Sequence, residues 1–381
     1  MSNDTVVFIR GTGRCGSKNL VRHLGTHRHL AHVPVNQVLP EDLIDWSRHR
    51  LQADDPRITD DAIVASCRAY FNAYGRSLAG PSGYLLQKST MNAHHLATLL
   101  DFWPEARVVY LMRHPIGVVE ALINADIHDY RGEYGYCATV ADSLLRWYNE
   151  LNTYRNSPAY ENPRLLPVQF EDLIADTESV VDAICDFIGI ERMHLAPYGE
   201  PERHETPFVL SNDERRWIIE STADLLTQLG YDPHTCEADY DHQQPTSSPD
   251  LYPERRLTAR PPALDGVELV RMAMEEAAQR GQRRVGLYGA GYFSRMIIPQ
   301  LIDMPVELVA IFDDNASIAH RRIGAYPILR TETALDMHVD AVIPATFVHQ
   351  EKLIRRWRRL IGTAVPILPL WHDEPASLPV G

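Results

Sequence analysis

The chain has 381 residues, of which 45% are hydrophobic and 23% charged, and a chain of this length and composition suggests about two folded domains. Its net charge of −14 and sequence pI near 5.6 exclude nucleic-acid recognition through a broad basic surface. No apolar stretch approaches membrane-spanning length, no secretory leader begins the chain, and the five Cys lack paired metal-ligand spacing. We therefore expect a cytoplasmic protein with reduced thiols, no bound metal, no nucleic-acid partner and no transmembrane segment.

The first segment with chemical content is the stretch 6–20, which reads as a buried strand, a glycine-rich turn and the start of a helix. Backbone N–H groups and the positive helix end converge on an anion in such a turn, and Arg14 and Lys18 add charge. The predicted anion-binding residues are Gly13, Arg14, Cys15, Gly16, Ser17, Lys18 and Asn19. A Walker A loop places its Lys before the Ser or Thr; here the order is reversed, which argues against an ordinary ATPase.

Three further strand units follow in the first half of the chain. Residues 84–90 read as a short strand that ends in Lys88, and residues 106–115 read as a buried strand that ends in an Arg-X-Pro turn and continues as a helix. Residues 166–173 form another strand with an acidic turn, and an amphipathic helix over 180–188 follows and is closed by Gly189.

These segments, in this order, resemble the sulfotransferases that use 3′-phosphoadenosine 5′-phosphosulfate (PAPS), and the resemblance extends to Leu229-Gly230-Tyr231. It implies an α/β fold with a P-loop-NTPase-like parallel sheet flanked by helices. It also implies that the glycine-rich loop holds the 5′-phosphosulfate, that Arg113 binds the 3′-phosphate, and that Lys88 lies near the transferring sulfuryl group.

Sulfuryl transfer depends mainly on positioning and on preorganised cations, and the resemblance assigns the cationic role to Lys18 and Lys88. A base must also take the proton of the acceptor hydroxyl. The candidates for that base are His32 and Glu41, followed by His29 and His94.

The chain departs from the family pattern at two positions. The family usually has a Ser, which shares the 3′-phosphate, where this chain has Ala121, and one hydroxyl contact is lost. Many bacterial members have a catalytic Glu where this chain has Asn36, which cannot act as a base at neutral pH. These departures leave open a catalytically silent protein that binds the nucleotide.

The character of the sequence changes at residues 236–263, which are rich in Pro, Ser, Gln and charges and lack apolar periodicity. We interpret this stretch as a linker between a first domain, 1–235, and a smaller second domain, 264–381. The second domain has a strand, a Gly-x-Gly turn and a second strand that ends in acids, which resembles a Rossmann unit. Its candidate nucleotide-binding residues are Gly289, Gly291 and Asp313.

Such small Rossmann-like domains are similar to those fused to bacterial sugar-modifying enzymes, and they imply a nucleotide or nucleotide-sugar ligand. The sequence thus predicts a PAPS-dependent sulfotransferase that acts on a hydroxyl or amine of a small-molecule or glycan acceptor, and the second domain favours a carbohydrate or glycolipid. A P-loop kinase-like phosphotransferase is the alternative enzyme, and a homo-oligomer is left open.

Overall fold

The structure of the protein is a computed structural model. It describes residues 5–33, 55, 57–79, 83–90, 93–129, 139–194, 207–232, 252–257, 260–319, 321–346 and 350–371. The chain divides into two compact units, one formed by 1–121, 150–205 and 223–244 and the other by 122–149, 206–222 and 245–381.

The first unit contains a sheet of five parallel strands in the order β2-β3-β1-β4-β5. The strands are β1 (Thr5–Gly11), β2 (Leu30–Val33), β3 (Tyr84–Lys88), β4 (Arg107–Met112) and β5 (Leu165–Gln169). The central strand is a continuous apolar run whose residues 6–9 are fully buried, as expected for a parallel strand covered on both faces. Because all five strands run in one direction, their carboxyl ends meet at one edge of the sheet.

Helices connect these strands, and three of them have residues in both units. They are α1 (Ser17–Leu24), α2 (Asp60–Ala79), α3 (Leu96–Phe102), α4 (Pro115–Asn124), α5 (Val140–Arg155), α6 (Phe170–Ala175), α7 (Thr177–Ile188) and α8 (Asn212–Gln228). Helix α7 shows why they form: Asp176 caps its N-terminus by accepting the amide of Ser179, and Gly189 ends it in the left-handed region. Its buried face packs into a core with β1, β4 and α1.

The second unit contains a second five-stranded sheet in the order β10-β6-β7-β9-β8. Its strands are β6 (Arg284–Tyr288), β7 (Glu307–Asp313), β8 (Arg322–Ile323), β9 (Tyr326–Arg330) and β10 (Ala341–Pro344). Its later helices are α9 (Gly266–Gln279), α10 (Tyr292–Ile297) and α11 (Gln350–Ile361). Strand β8 is antiparallel to β9 and the other pairings are parallel. The two sheets confirm the predicted α/β class with a first P-loop-like sheet and a second α/β fold.

Ion pairs hold the described part of the predicted linker within the second unit. Arg255 pairs with the fully buried Asp126, and Arg256 donates to Glu214 at 2.9 Å. Because charged rather than apolar side chains hold this stretch, its sequence shows no apolar periodicity. The predicted domain limits of 235 and 264 stay predictions. None of the described helices is long and apolar enough to cross a membrane.

Candidate anion-binding site

The turn between β1 and α1 begins at a position that only glycine can occupy. Gly11 has φ +146°, and a Cβ atom built there would lie 2.0 Å from the carbonyl oxygen of Leu111 on β4. The next amide, that of Thr12, donates to the same oxygen at 3.3 Å. Strand β1 can therefore leave the sheet in direct backbone contact with its neighbour, which brings the turn to the carboxyl edge.

The rest of the turn leads directly into the N-terminus of α1. Arg14 and Gly16 both have left-handed backbones, with φ of 60° and 83°. The carbonyl of Gly16 accepts the amides of Asn19 and Leu20, so the helix begins at once, and its first turn holds no acidic residue. A turn of this shape followed by a helix dipole suits a phosphate or sulfate group.

Cys15 lies in this turn but does not expose its thiol to solvent. Its side chain is fully buried in the core of the first unit, and burial raises the pKa of its thiol, although hydrogen bonds from Ser17 oppose that shift. The thiol is therefore protonated at neutral pH and serves as a small core residue.

Lys88 lies close to the cations of this turn. It pairs with Ile9 in the register between β3 and β1, so its ammonium is held at the carboxyl edge. Burial is the main cause that lowers the pKa of Lys88, and the charges of Lys18, Arg10 and Arg14 lower it further. Three predicted cations, at positions 14, 18 and 88, therefore share one site.

Arg10 is a fourth cation of this cluster, and sequence reasoning assigned it no role. It is fully buried, donates to Gln87 Oε1 at 2.6 Å, and its guanidinium lies 4.8 Å from the ring centroid of Phe8. The sequence feature that could have identified Arg10 is a charged residue at the end of an otherwise apolar strand. A cation buried in such a strand requires specific partners.

Arg113 lies directly against the turn. Its Nη1 donates to the carbonyl oxygen of Arg14 at 3.1 Å, and its guanidinium lies 4.5 Å from the ring centroid of Phe170, the first residue of α6. The ring and the carbonyl hold the guanidinium in place, so that the end of β4 supplies a second cationic position beside the loop.

Glu171 joins three segments next to Arg113. Its Oε1 accepts the amide of His114 at 2.9 Å, and its Oε2 accepts the hydroxyl of Tyr231 at 3.2 Å. Burial raises the pKa of Glu171, and these hydrogen bonds and the charge of Arg113 oppose the rise. The sequence indicated an acidic turn here but gave neither residue 171 nor residue 231 a role at the site.

His114 predicts a pH-dependent stability. Burial, and then the charge of Arg113, lowers its pKa to about 4, whereas the side chain titrates near pH 6.5 in an unfolded chain. Between these values only the unfolded chain binds the proton, so this contribution to stability is complete above about pH 6.5 and is lost as pH falls toward 4. The expected contribution is about 3 kcal/mol.

Urea unfolding of wild type and His114→Gln, at about pH 7.5 and about pH 4.5, measures this contribution. We expect the free energy of unfolding to fall less with acidification in the variant, because its side chain does not titrate. An equal loss in both proteins would contradict the assignment.

Two of the other predicted residues, His32 and Ala121, lie on neighbouring elements. His32 lies on the edge strand β2, opposite Leu86, and burial and the charge of Lys88 lower its pKa. Ala121 lies on α4, the helix that follows Arg113, as the sequence predicted. Asn36 and Glu41 lie outside the described residues.

The Gly-x-Gly turn of the second unit borders a cavity of about 400 Å³. Gly289 has φ +113°, and both oxygens of Asp313 accept amides at 2.8 Å, from Ala290 and Asn315. The residues that line the cavity are Tyr288, Gly289, Asp313, Asp314, Asn315, Lys352, Leu353 and Arg356. Gly291 is not among them, and a Cβ built there would meet open space.

No group of three or more His, Cys, Asp or Glu side chains within the described ranges is placed to hold a metal ion.

Residues 6–194 match the model of the Sulfotransferase family. Protein-tyrosine sulfotransferase 1 of Danio rerio is 21% identical over 285 residues, which covers 63% of this chain and 76% of that protein. Protein-tyrosine sulfotransferase 2 of Gallus gallus is 22% identical and covers 63% and 73%. A crystal structure of a sulfotransferase from Alicyclobacillus acidocaldarius is 17% identical, with a TM-score of 0.41, and covers 59% of this chain and 96% of its own. The glycine turn, Lys88 and Arg113 all lie within the matched residues, and the comparisons support a sulfotransferase family for this part of the chain.

Proposed function

We propose that this sulfotransferase moves the sulfuryl group of PAPS to a hydroxyl or amine of its acceptor. The observation that carries the proposal is the position of Arg113, whose guanidinium is anchored to the carbonyl of Arg14 in the glycine turn. A donor with anionic groups on the 3′ and 5′ positions of one ribose requires two adjacent cationic sites. The turn and Arg113 offer these two sites side by side.

Each group at the site has a role in this proposal. The amides of residues 13–18 and the charge of Arg14 bind the 5′-phosphate, and Arg113 binds the 3′-phosphate. Ala121 adds no hydroxyl there. Lys18 and Lys88 stabilise the charge that develops on the sulfuryl and bridging oxygens.

His32 is the described candidate for the base. Its side chain is exposed on β2, and partial desolvation and the charge of Lys88 lower its pKa, so the imidazole is neutral at pH 7 and can accept a proton. In the proposed step the acceptor oxygen attacks sulfur, the bond from sulfur to the bridging phosphate oxygen breaks, and the acceptor proton passes to the imidazole. The nucleotide product is adenosine 3′,5′-bisphosphate. Glu41 is the alternative base.

Two acceptor classes follow from different observations. The appended α/β unit resembles those of sugar-modifying enzymes, which favours a carbohydrate or glycolipid. The two relatives named protein-tyrosine sulfotransferases favour the phenolic hydroxyl of a peptide tyrosine. An acceptor screen should therefore contain both a panel of glycans and tyrosine-containing peptides.

Isothermal titration with adenosine 3′,5′-bisphosphate tests the nucleotide site. We expect metal-independent binding at one site, and we expect Arg113→Ala to weaken it by about 10- to 100-fold, because hydrogen bonds to a charged phosphate are lost. Arg107→Ala is the matched control: this arginine begins the same strand, at the edge of the sheet opposite the site, and should leave the affinity unchanged.

Preference for magnesium-ATP over the bisphosphate would instead favour the kinase-like alternative. Bisphosphate binding without transfer to any acceptor would favour a silent nucleotide-binding protein. The second unit stays a predicted nucleotide or nucleotide-sugar site, for which binding that survives Arg113→Ala but is lost in Asp313→Ala would be the evidence.

A further inference from the structure

We infer that Glu171 and Tyr231 are positioning residues that hold Arg113 in the geometry required to recognise the 3′-phosphate. The inference rests on the proposed function, because it concerns how that site reads its nucleotide. Glu171 and Tyr231 act on Arg113 through the backbone and side chains around it, and they touch neither the donor nor the acceptor in the proposed step.

The first step is the peptide plane that follows Arg113. The amide N–H of His114 belongs to that plane, and it donates to Glu171 Oε1 at 2.9 Å. A hydrogen bond to this amide fixes the rotation of the peptide, and with it the direction in which the preceding side chain leaves the backbone.

The second step is the contact of the guanidinium itself. Phe170 immediately precedes Glu171, and its ring centroid lies 4.5 Å from the guanidinium of Arg113. The same two-residue segment of α6 therefore controls both the backbone and the head of the arginine. A shift of this segment would move the two together.

The third step is the anchoring of Glu171. Tyr231, itself 7% exposed, donates its hydroxyl to Oε2, and its ring packs edge-on against His114 at 6.0 Å between centroids. The amide of Tyr231 donates to Leu226 at 2.9 Å, and the left-handed Gly230, φ +79°, turns the chain back after α8. Tyr231 is thus a fixed hydroxyl rather than a mobile one.

The neighbouring carboxylate supplies the contrast. Asp172 follows Glu171 in the same helical turn but is exposed. Loss of its charge alters the local field and leaves the hydrogen bonds at Glu171 in place. Asp172→Asn is therefore the matched control for a Glu171 variant, and Tyr160→Phe, which removes an exposed hydroxyl bonded to Gln228, is the control for Tyr231→Phe.

The measurement is the ratio of the dissociation constants of adenosine 5′-phosphate and adenosine 3′,5′-bisphosphate, which isolates recognition of the 3′-phosphate. We expect Glu171→Ala to lower this preference about tenfold and Tyr231→Phe about threefold. Glu171→Gln should keep it within about twofold, since the amide oxygen still accepts from His114. In an Arg113→Ala background, Glu171→Ala should lower it no further, because both act through one guanidinium.

A purely structural role would lower thermal stability and weaken both nucleotides equally, with an unchanged ratio, and this would overturn the inference. An unchanged ratio in Tyr231→Phe would overturn it for the tyrosine even where Glu171→Ala fails to fold. If wild type shows no preference for the bisphosphate, the proposed function itself fails. A preference that is lost in Arg113→Ala but kept in Glu171→Ala and Tyr231→Phe refutes only the positioning role.

Discussion

Lys88→Ala is expected to lower kcat by about 10²- to 10³-fold, the usual loss when one preorganised group that stabilises transition-state charge is removed. Lys88 is held at the carboxyl end of β3, half-buried and surrounded by other cations, so its position is set before the donor binds. Those cations remain in the variant and continue to attract the nucleotide. We therefore expect the dissociation constant of adenosine 3′,5′-bisphosphate to change by less than about fivefold.

Arg359→Ala is the control for this substitution. Arg359 is exposed on α11 in the second unit and does not line the cavity there, and its loss removes one positive charge. Initial rates with PAPS and a working acceptor should be unaffected by it. Turnover at the wild-type rate in Lys88→Ala would remove Lys88 from the mechanism.

Gly11→Ala is expected to destabilise the first unit by more than about 4 kcal/mol, at the extreme end for a single substitution. The added Cβ would lie 2.0 Å from the backbone oxygen of Leu111, and φ of +146° is strained for any L side chain. Relief requires that β1 and β4 separate at the point where the anion-binding turn starts. Thermal unfolding and bisphosphate titration of the purified variant measure both consequences.

Gly291→Ala is the corresponding control in the other glycine turn. A Cβ at that position meets nothing within 4 Å, and its φ of −81° is open to alanine. Its stability should stay within about 0.5 kcal/mol of wild type. Equal stability of the two alanine variants would show that the close approach of β1 and β4 is not a constraint in solution.

The parts of the site that are local in sequence could be predicted. A continuous apolar run followed by glycines predicts a buried parallel strand and an anion-binding turn, and β1 and α1 have that form. The strand that ends at Lys88 and the strand that precedes Arg113 were predicted for the same reason. The resemblance to the sulfotransferases, rather than the local pattern, implied that Lys88 and Arg113 act at the same site as this turn.

The parts that depend on distant residues could not be predicted. The acidic turn offered two carboxylates, and nothing in the local pattern distinguishes the half-buried Glu171 from the exposed Asp172. Glu171 differs from Asp172 because two groups distant in sequence donate to it. They are the amide of His114 and the hydroxyl of Tyr231, 57 and 60 residues away. The burial of Arg10 depends likewise on Gln87, 77 residues further along the chain.

The lowered pKa of Lys88 has a consequence for chemical labelling. Only 3 of the 37 basic residues counted as Lys or Arg are lysines, and two of these, Lys18 and Lys88, belong to the proposed nucleotide site. A lower pKa leaves more of the amine uncharged at neutral pH, and the uncharged amine is the form that acylating reagents attack. Acylation of Lys88 should therefore be measurable with little interference from other lysines. Protection of Lys88 from the reagent would report that a nucleotide is bound at the proposed site, without any engineered probe.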